Sequence, residues 1–234
     1  MIAPLHLVTD DAILARPGFP AVAREALEVG GERIVLHLRG HGTPAVRLLG
    51  LARELLESAR RTGAVLLVND RVDVAAAAEA DGVQLGTRSL PVREARRLLP
   101  VGAVVGASVH GPGELRGVLE GALPDFFLVG TLFSTPSHPG RPGGGPGTIA
   151  ALRSLTALPL IGVGGVTTER VAAVLEGGGD GVAVLRGVWD APSAGGAVRA
   201  FLERLGPGPG TPWTEGRRDP GPSPPTRPPS PEER

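Results

Sequence analysis

The sequence predicts a closed (β/α)8 barrel followed by a tail that builds no core. Three observations carry this. Eight short β-rich runs recur between residues 5 and 187, with helix-spaced Ala/Leu/Arg/Glu segments between them. The runs are nearly continuous in apolar residues, as expected of parallel strands buried on both faces. Their alternation with helices implies repeated βα units, and eight units within residues 1–205 fit a compact barrel. An open doubly wound sheet is the alternative; the strand count favours the barrel.

Taken in order, "LHLVTD" (5–10) is the first strand and ends on Thr9-Asp10. "RIVLHLR" (33–39) is the second. Side chains alternate along a strand, so His37 and Arg39 share a face, which in a barrel is the lumen, while His41 lies beyond on the loop; a core histidine accounts for His37 as well as a functional one does. "AVRLLGLARELLESARRTG" has helical spacing and leads into "AVLLVND" (64–70), which ends on Asn69-Asp70. "GVQLG" (82–86) is followed by the helical "PVREARRLLP", and "VVGASV" (104–109) ends near Ser108 and His110. "FFLVGTL" (126–132) leads to Thr135, Ser137 and His138, then to a Gly/Pro-rich stretch suited to a mobile lid. "LPLIGVGG" (158–165) ends on Gly164-Gly165, with Thr167 or Thr168 as a helix N-cap, and "GVAVLRG" (181–187) is the eighth strand. Residues 206–234 are rich in Pro, Gly, Arg and Glu; such a segment cannot bury a core and is expected to be disordered.

Polar residues gather at the C-terminal ends of the runs, whereas the N-terminal ends read as plain. In a barrel the C-terminal rim carries the chemistry, so this asymmetry points to an enzyme. Glycines at 164 and 165 let backbone N–H groups approach an anion, and barrels often hold phosphate after strands 7 and 8. Arg39 presents a planar fork suited to phosphate or diphosphate. Asp70 at a rim can hold a hard divalent cation, although from the segment alone an N-cap or a pair with Arg71 is the better explanation. The hydroxyls of Thr135 and Ser137 can donate to phosphate, and His138 can shuttle a proton near neutral pH.

Composition narrows the rest. Lys+Arg and Asp+Glu are 24 each and the formal charge is zero, which points away from nucleic acid and from a membrane surface as partners. The chain has no cysteine, so disulfide and thiolate chemistry are excluded. It has no lysine either, so Arg or His stands wherever a cation is needed. "MIAPLHLVTD" carries no secretory pattern and no apolar run nears the ~20 residues of a membrane span, so a cytoplasmic location is expected. The oligomeric state is left open, a homo-oligomer included.

The ordered set "LHLVTD", "LLVNDRVDVAAAAEADGVQLG", "GASVH", "FFLVGTLFSTPSHPGRPG", "PLIGVGGVT" and "GDGVAVL" resembles the thiamine phosphate synthase/TenI family over about residues 4–205. The resemblance implies a (β/α)8 barrel acting on a thiazole phosphate. In the synthases it implies condensation with a hydroxymethylpyrimidine diphosphate, with Mg²⁺ and release of diphosphate. It places Arg39, Asn69, Ser108, Thr135 and Ser137 on substrate or diphosphate, Asp70 on Mg²⁺, and Gly164, Gly165, Leu185 and Arg186 on the thiazole phosphate, the last two through backbone N–H. The chain departs from the synthase pattern in one direction. Histidines stand at 41 and 138 where the motifs carry lysine, His37 stands for a glutamine, and the second Mg²⁺ carboxylate falls on Ser89. Those departures resemble the TenI branch, whose thiazole tautomerases move a proton without a metal; the histidine that branch carries after strand 6 falls on Thr131. The expectation is therefore a tautomerase with His37, His41 and His138 as proton carriers and no cofactor. The alternatives are a Mg²⁺-dependent synthase and a non-catalytic phosphate-ligand binder or regulator.

Overall fold

A computed structural model describes residues 2–135 and 143–207. Eight parallel strands close on themselves in chain order, each hydrogen-bonded to the next and β8 to β1. They are β1 (Leu5–Val8), β2 (Ile34–Leu38), β3 (Val65–Asn69), β4 (Gly82–Leu85), β5 (Val104–Val109), β6 (Phe126–Val129), β7 (Leu160–Val163) and β8 (Gly181–Val184). The helices that follow are α1 (Asp11–Leu14), α2 (Phe19–Gly30), α3 (Ala45–Thr62), α4 (Val72–Ala78), α5 (Val92–Leu98), α6 (Pro112–Leu119), α7 (Gly147–Arg153), α8 (Val171–Glu176), α9 (Arg186–Trp189) and α10 (Ala194–Leu205). The predicted barrel is the observed one, and the open sheet is excluded because β8 pairs with β1.

The near-continuous apolar runs have the expected cause: both strand faces are buried. One face packs on the helices through residues such as Leu5, Leu36, Leu66, Val105, Phe127 and Val182. The other fills the lumen through Val35, Leu67, Val104, Phe126, Leu128 and Ile161. Each buried Leu, Ile or Phe contributes on the order of 1.5–3 kcal/mol against exposure, so the two layers together hold the cylinder closed. The strands stop sooner than the apolar runs suggest. Arg39, Asp70 and Gly164-Gly165 lie just past β2, β3 and β7, where the chain leaves the ladder for the rim.

The N-terminal ends of the strands are not plain. Asp81, Asp125 and Asp180, each directly before an even-numbered strand, reach back to the preceding strand. Their carboxylates accept from the backbone N–H of Leu66, Val105 and Leu160 at 2.8, 2.7 and 2.8 Å. A backbone N–H at the start of a strand needs a partner when buried, and a carboxylate at that spot supplies one. Arg96 then pairs with Asp125 at 3.1 Å and Arg153 with Asp180 at 3.3 Å. These acidic positions hold the floor of the barrel, the end opposite the expected site.

One further expectation changes. Thr167 takes the extended N-cap position before a short 3-10 turn (Thr168–Arg170), but its side chain caps nothing; Thr168 donates to Glu169 instead. Ser137, His138 and residues 139–142 of the expected lid lie outside the described residues, as does the tail beyond 207. No helix among the described residues is long and apolar enough to cross a membrane.

Candidate functional site

At the C-terminal mouth the βα loops surround a cavity of about 1510 Å³. Arg39, His41, Asn69, Asp70, Ser108, Thr135, Gly164, Gly165, Leu185 and Arg186 all line it. Ten predicted site positions from six βα units thus converge on one space.

Arg39 sits just past β2 and its side chain reaches the rim loop. Its Nη2 lies 2.7 Å from His41 Nε2. A guanidinium only donates, so His41 Nε2 accepts and its proton sits on Nδ1. That Nδ1 faces Asp70 Oδ2 at 3.7 Å. The loop carrying His41 is held by Asp11. The Asp11 carboxylate accepts from the Gly42 N–H at 3.1 Å and from the Thr43 hydroxyl at 2.5 Å. The Thr43 bond is the main cause that lowers the Asp11 pKa below its ordinary value.

Asp70 adopts a left-handed backbone, with φ of 63°, directly after β3. Its Oδ1 accepts from the Gly86 N–H at 2.9 Å and from the Ser89 hydroxyl. The residue that stands in for the expected second carboxylate is therefore a hydrogen-bond donor to the first. Oδ2 is left toward His41 and the cavity. The expected pair of Asp70 with Arg71 is not the one formed: Arg71 pairs with Asp73 at 2.5 Å.

Ser108, on β5, accepts from Gln84 Nε2 at 3.1 Å, which leaves its own proton to donate toward the cavity. On the far wall, Gly164 and Gly165 have φ of 98° and 63°, a region that L side chains rarely adopt. A Cβ at 164 would come within 2.6 Å of Thr131 Cγ2, and one at 165 within 2.6 Å of the Ser134 carbonyl. The glycines thus let the loop after β6 pack down on the loop after β7, besides baring the backbone to the cavity. Arg186 at the start of α9 lies 3.7 Å from Asp10 and 3.8 Å from Asp190.

His37 is corrected. It shares the lumen face with Arg39 as predicted, but it lies one layer deeper, fully buried and outside the cavity lining. Its Nε2 is 2.8 Å from Nδ1 of His6, which is also fully buried. Burial lowers its pKa to about 4, opposed in part by Asn69, so it is neutral at pH 7 and out of reach of a substrate. Of the three expected proton carriers, His41 alone lines the cavity, and His138 lies outside the described residues.

The sequence reading passed over Arg88 and Arg170, which also line the cavity, and Asp11. Arg170 donates to the Gly165 carbonyl at 2.6 Å and lies 4.8 Å over the Phe133 ring, tying the two glycine-side loops together. Arg88 lies within "GTRS", beside the departure at Ser89, and that adjacency was the available signal.

Fold and cavity define the class: a (β/α)8-barrel enzyme with its polar side chains gathered at the C-terminal mouth. The family model for thiamine monophosphate synthase matches residues 5–188. A thiamine-phosphate synthase of Methanoculleus marisnigri is 38% identical over 203 residues, covering 86% of this chain and 94% of its own. One of Thermus thermophilus is 37% identical over 210 residues, covering 88% and 98%. Among solved structures, a thiamine phosphate pyrophosphorylase from Pyrococcus furiosus superimposes with a TM-score of 0.74 at 28% identity, covering 86% and 95%. The chain belongs to the thiamine monophosphate synthase family and is an enzyme of thiamine biosynthesis. The relatives carry the synthase name, so they back the synthase alternative better than the tautomerase expectation.

Proposed function

We propose that this enzyme is a thiamine-phosphate synthase, joining a hydroxymethylpyrimidine diphosphate to a thiazole phosphate. The observation that carries the reading is that two stations suited to anions share one cavity. Arg39, Asn69, Asp70 and Ser108 stand on the β2–β5 side, and Gly164, Gly165, Leu185 and Arg186 on the β7–β8 side. At about 1510 Å³ the cavity exceeds the ~300–1,000 Å³ usual for one small ligand, which suits a reaction of two.

In the reaction the thiazole nitrogen forms a bond to the pyrimidine methylene carbon while the C–O bond to diphosphate breaks. Negative charge grows on the leaving diphosphate, so catalysis needs fixed positive charge and donors there. Arg39 supplies a planar double donor, Ser108 a hydroxyl, and Thr135 and Ser137 stand in the motif expected to add donors. The thiazole phosphate is held by backbone N–H groups at Gly164, Gly165, Leu185 and Arg186, which orients its nitrogen toward the other station.

Mg²⁺ fits this donor set with one carboxylate. Asp70 Oδ1 is occupied by Gly86 and Ser89, while Oδ2 faces the cavity, with His41 Nδ1 3.7 Å away. Mg²⁺ keeps several waters and takes one or two carboxylates plus substrate phosphates, so Asp70 with the diphosphate suffices to hold it. When bound it neutralises charge developing on the leaving group.

The test is the purified enzyme with both substrates and Mg²⁺. Stoichiometric thiamine phosphate and diphosphate are expected. Aromatisation of the thiazole carboxylate phosphate without condensation would return the tautomerase reading, for which His41 is the proton carrier in the cavity. Binding of thiazole phosphate with neither reaction would leave a regulator.

A further inference from the structure

Beneath the cavity lies a buried polar chain that no step above uses. His6 and His37 sit at the level of Phe126 in an otherwise apolar lumen, with ring centroids 5.0 Å apart. Their protonation follows by elimination. His6 Nε2 is 3.0 Å from the Ala3 carbonyl, which can only accept, so Nε2 carries the proton. Burial, reinforced by His37, lowers the His6 pKa well below the ordinary value, so the ring is neutral and its Nδ1 is bare. His37 Nε2, 2.8 Å from that bare Nδ1, must then be the donor. His37 is neutral as well, so its own Nδ1 has no proton and needs one given to it.

The side chain available to give it is Asn69, which lies against the His37 ring. β2 and β3 pair His37 with Leu67, so Asn69 stands one lumen layer above His37 on the neighbouring strand. His37 Nδ1 and Asn69 Oδ1 are both buried without a hydrogen-bond partner. A bare imidazole nitrogen and an amide oxygen are two acceptors and cannot bond to each other. A half-turn of the amide about its last torsion removes the conflict: Nδ2 then donates to His37 Nδ1, and Oδ1 takes the place Nδ2 held.

We propose that His6 and His37 are positioning residues that set which end of the Asn69 amide faces the cavity, so that the site presents a carbonyl oxygen there and selects a ligand with an N–H donor. The chain runs in one direction, from Asn69 Nδ2 to His37, from His37 to His6 and from His6 to the Ala3 carbonyl. A glutamine at 37 can accept from Asn69 and donate onward in the same way, whereas an apolar residue cannot. The assignment of that donor to the pyrimidine diphosphate rests on the synthase reading; the orientation of the amide does not.

The first test is ¹⁵N NMR of the imidazoles in the full-length enzyme without ligand. Both His6 and His37 are expected as neutral Nε2–H tautomers that persist from pH 8 to pH 5. An Nδ1–H tautomer at His37, or a charged ring at pH 7, overturns the proposal whatever the enzyme catalyses. The second test is steady-state kinetics of His37→Leu and His37→Gln. His37→Leu is expected to raise KM for the pyrimidine diphosphate on the order of tenfold, as for one lost oriented hydrogen bond, with KM for thiazole phosphate unchanged and His37→Gln close to the parent. Equal effects on both KM values, or none, would mean that the pair only fills the lumen. If His37→Leu does not fold, the tautomer measurement decides. If the parent enzyme does not condense the two substrates, the synthase reading fails while the NMR result still stands or falls by itself.

Discussion

Arg39 and His37 are two residues apart on one strand face, yet one lines the cavity and the other is sealed beneath it. Their substitutions should differ accordingly. Arg39→Ala is expected to weaken diphosphate binding on the order of 10–100-fold, the range for a charged hydrogen-bonding partner. Titration with inorganic diphosphate and Mg²⁺ measures it, and unchanged affinity would remove Arg39 from the anion station. His37, besides its proposed positioning of Asn69, affects stability. Its folded pKa of about 4 lies below the ordinary 6.5. Between those values the unfolded chain binds a proton that the folded chain refuses, so stability falls as pH drops from about 6.5 toward 4. The loss amounts to on the order of 3 kcal/mol at the lower end. Urea unfolding of the parent and of His37→Gln at pH 7.5 and pH 4.5 should show a smaller drop for the variant; parallel drops would count against a buried neutral His37.

At the scale of the element, the two ends of the strands do different work. Asp125 lies at the floor, where its carboxylate accepts from the Val105 N–H and pairs with Arg96. Asp125→Ala should cost about 2 kcal/mol of stability, as for a hydrogen bond to a charged group, with KM for either substrate unchanged. A shift in KM without loss of stability would contradict the division between floor and rim. Gly165 lies at the rim, with φ of 63° and the Ser134 carbonyl 2.6 Å from where a Cβ would stand. Gly165→Ala should therefore both destabilise the fold, by about 1–3 kcal/mol for the strained backbone, and weaken thiazole phosphate binding. Calorimetry of the variant against the parent measures the two effects together, and tight binding by a destabilised variant would separate the glycine's packing role from its anion role.

For the whole molecule, the barrel brings both stations into one cavity, so product inhibition should reveal which station each ligand occupies. Inorganic diphosphate is expected to compete with the pyrimidine diphosphate and not with thiazole phosphate. Competition with both would mean that the two stations overlap.

The strands and their helices were legible because each depends on local sequence: β-rich apolar runs, helical spacing between them, and polar residues where each run ends. Eight such units leave few ways to bury both faces except a closed cylinder, so fold class and the mouth that carries Arg39, Asn69, Asp70, Ser108 and Gly164-Gly165 followed from sequence alone. Depth within the lumen did not follow. Whether His37 reaches a ligand depends on the stagger between β1, β2 and β3 and on Phe126 filling the space beside it, and no spacing within one strand encodes that. The partners were equally hidden: Ser89 on Asp70, Asp11 on Thr43 and Asp125 on Val105 join residues 19, 32 and 20 positions apart, which only the pairing and packing of neighbouring βα units brings within hydrogen-bond distance. Alternation along a chain sets which way a side chain faces, but its neighbours are supplied by other strands, and those are set by the packing of the whole cylinder.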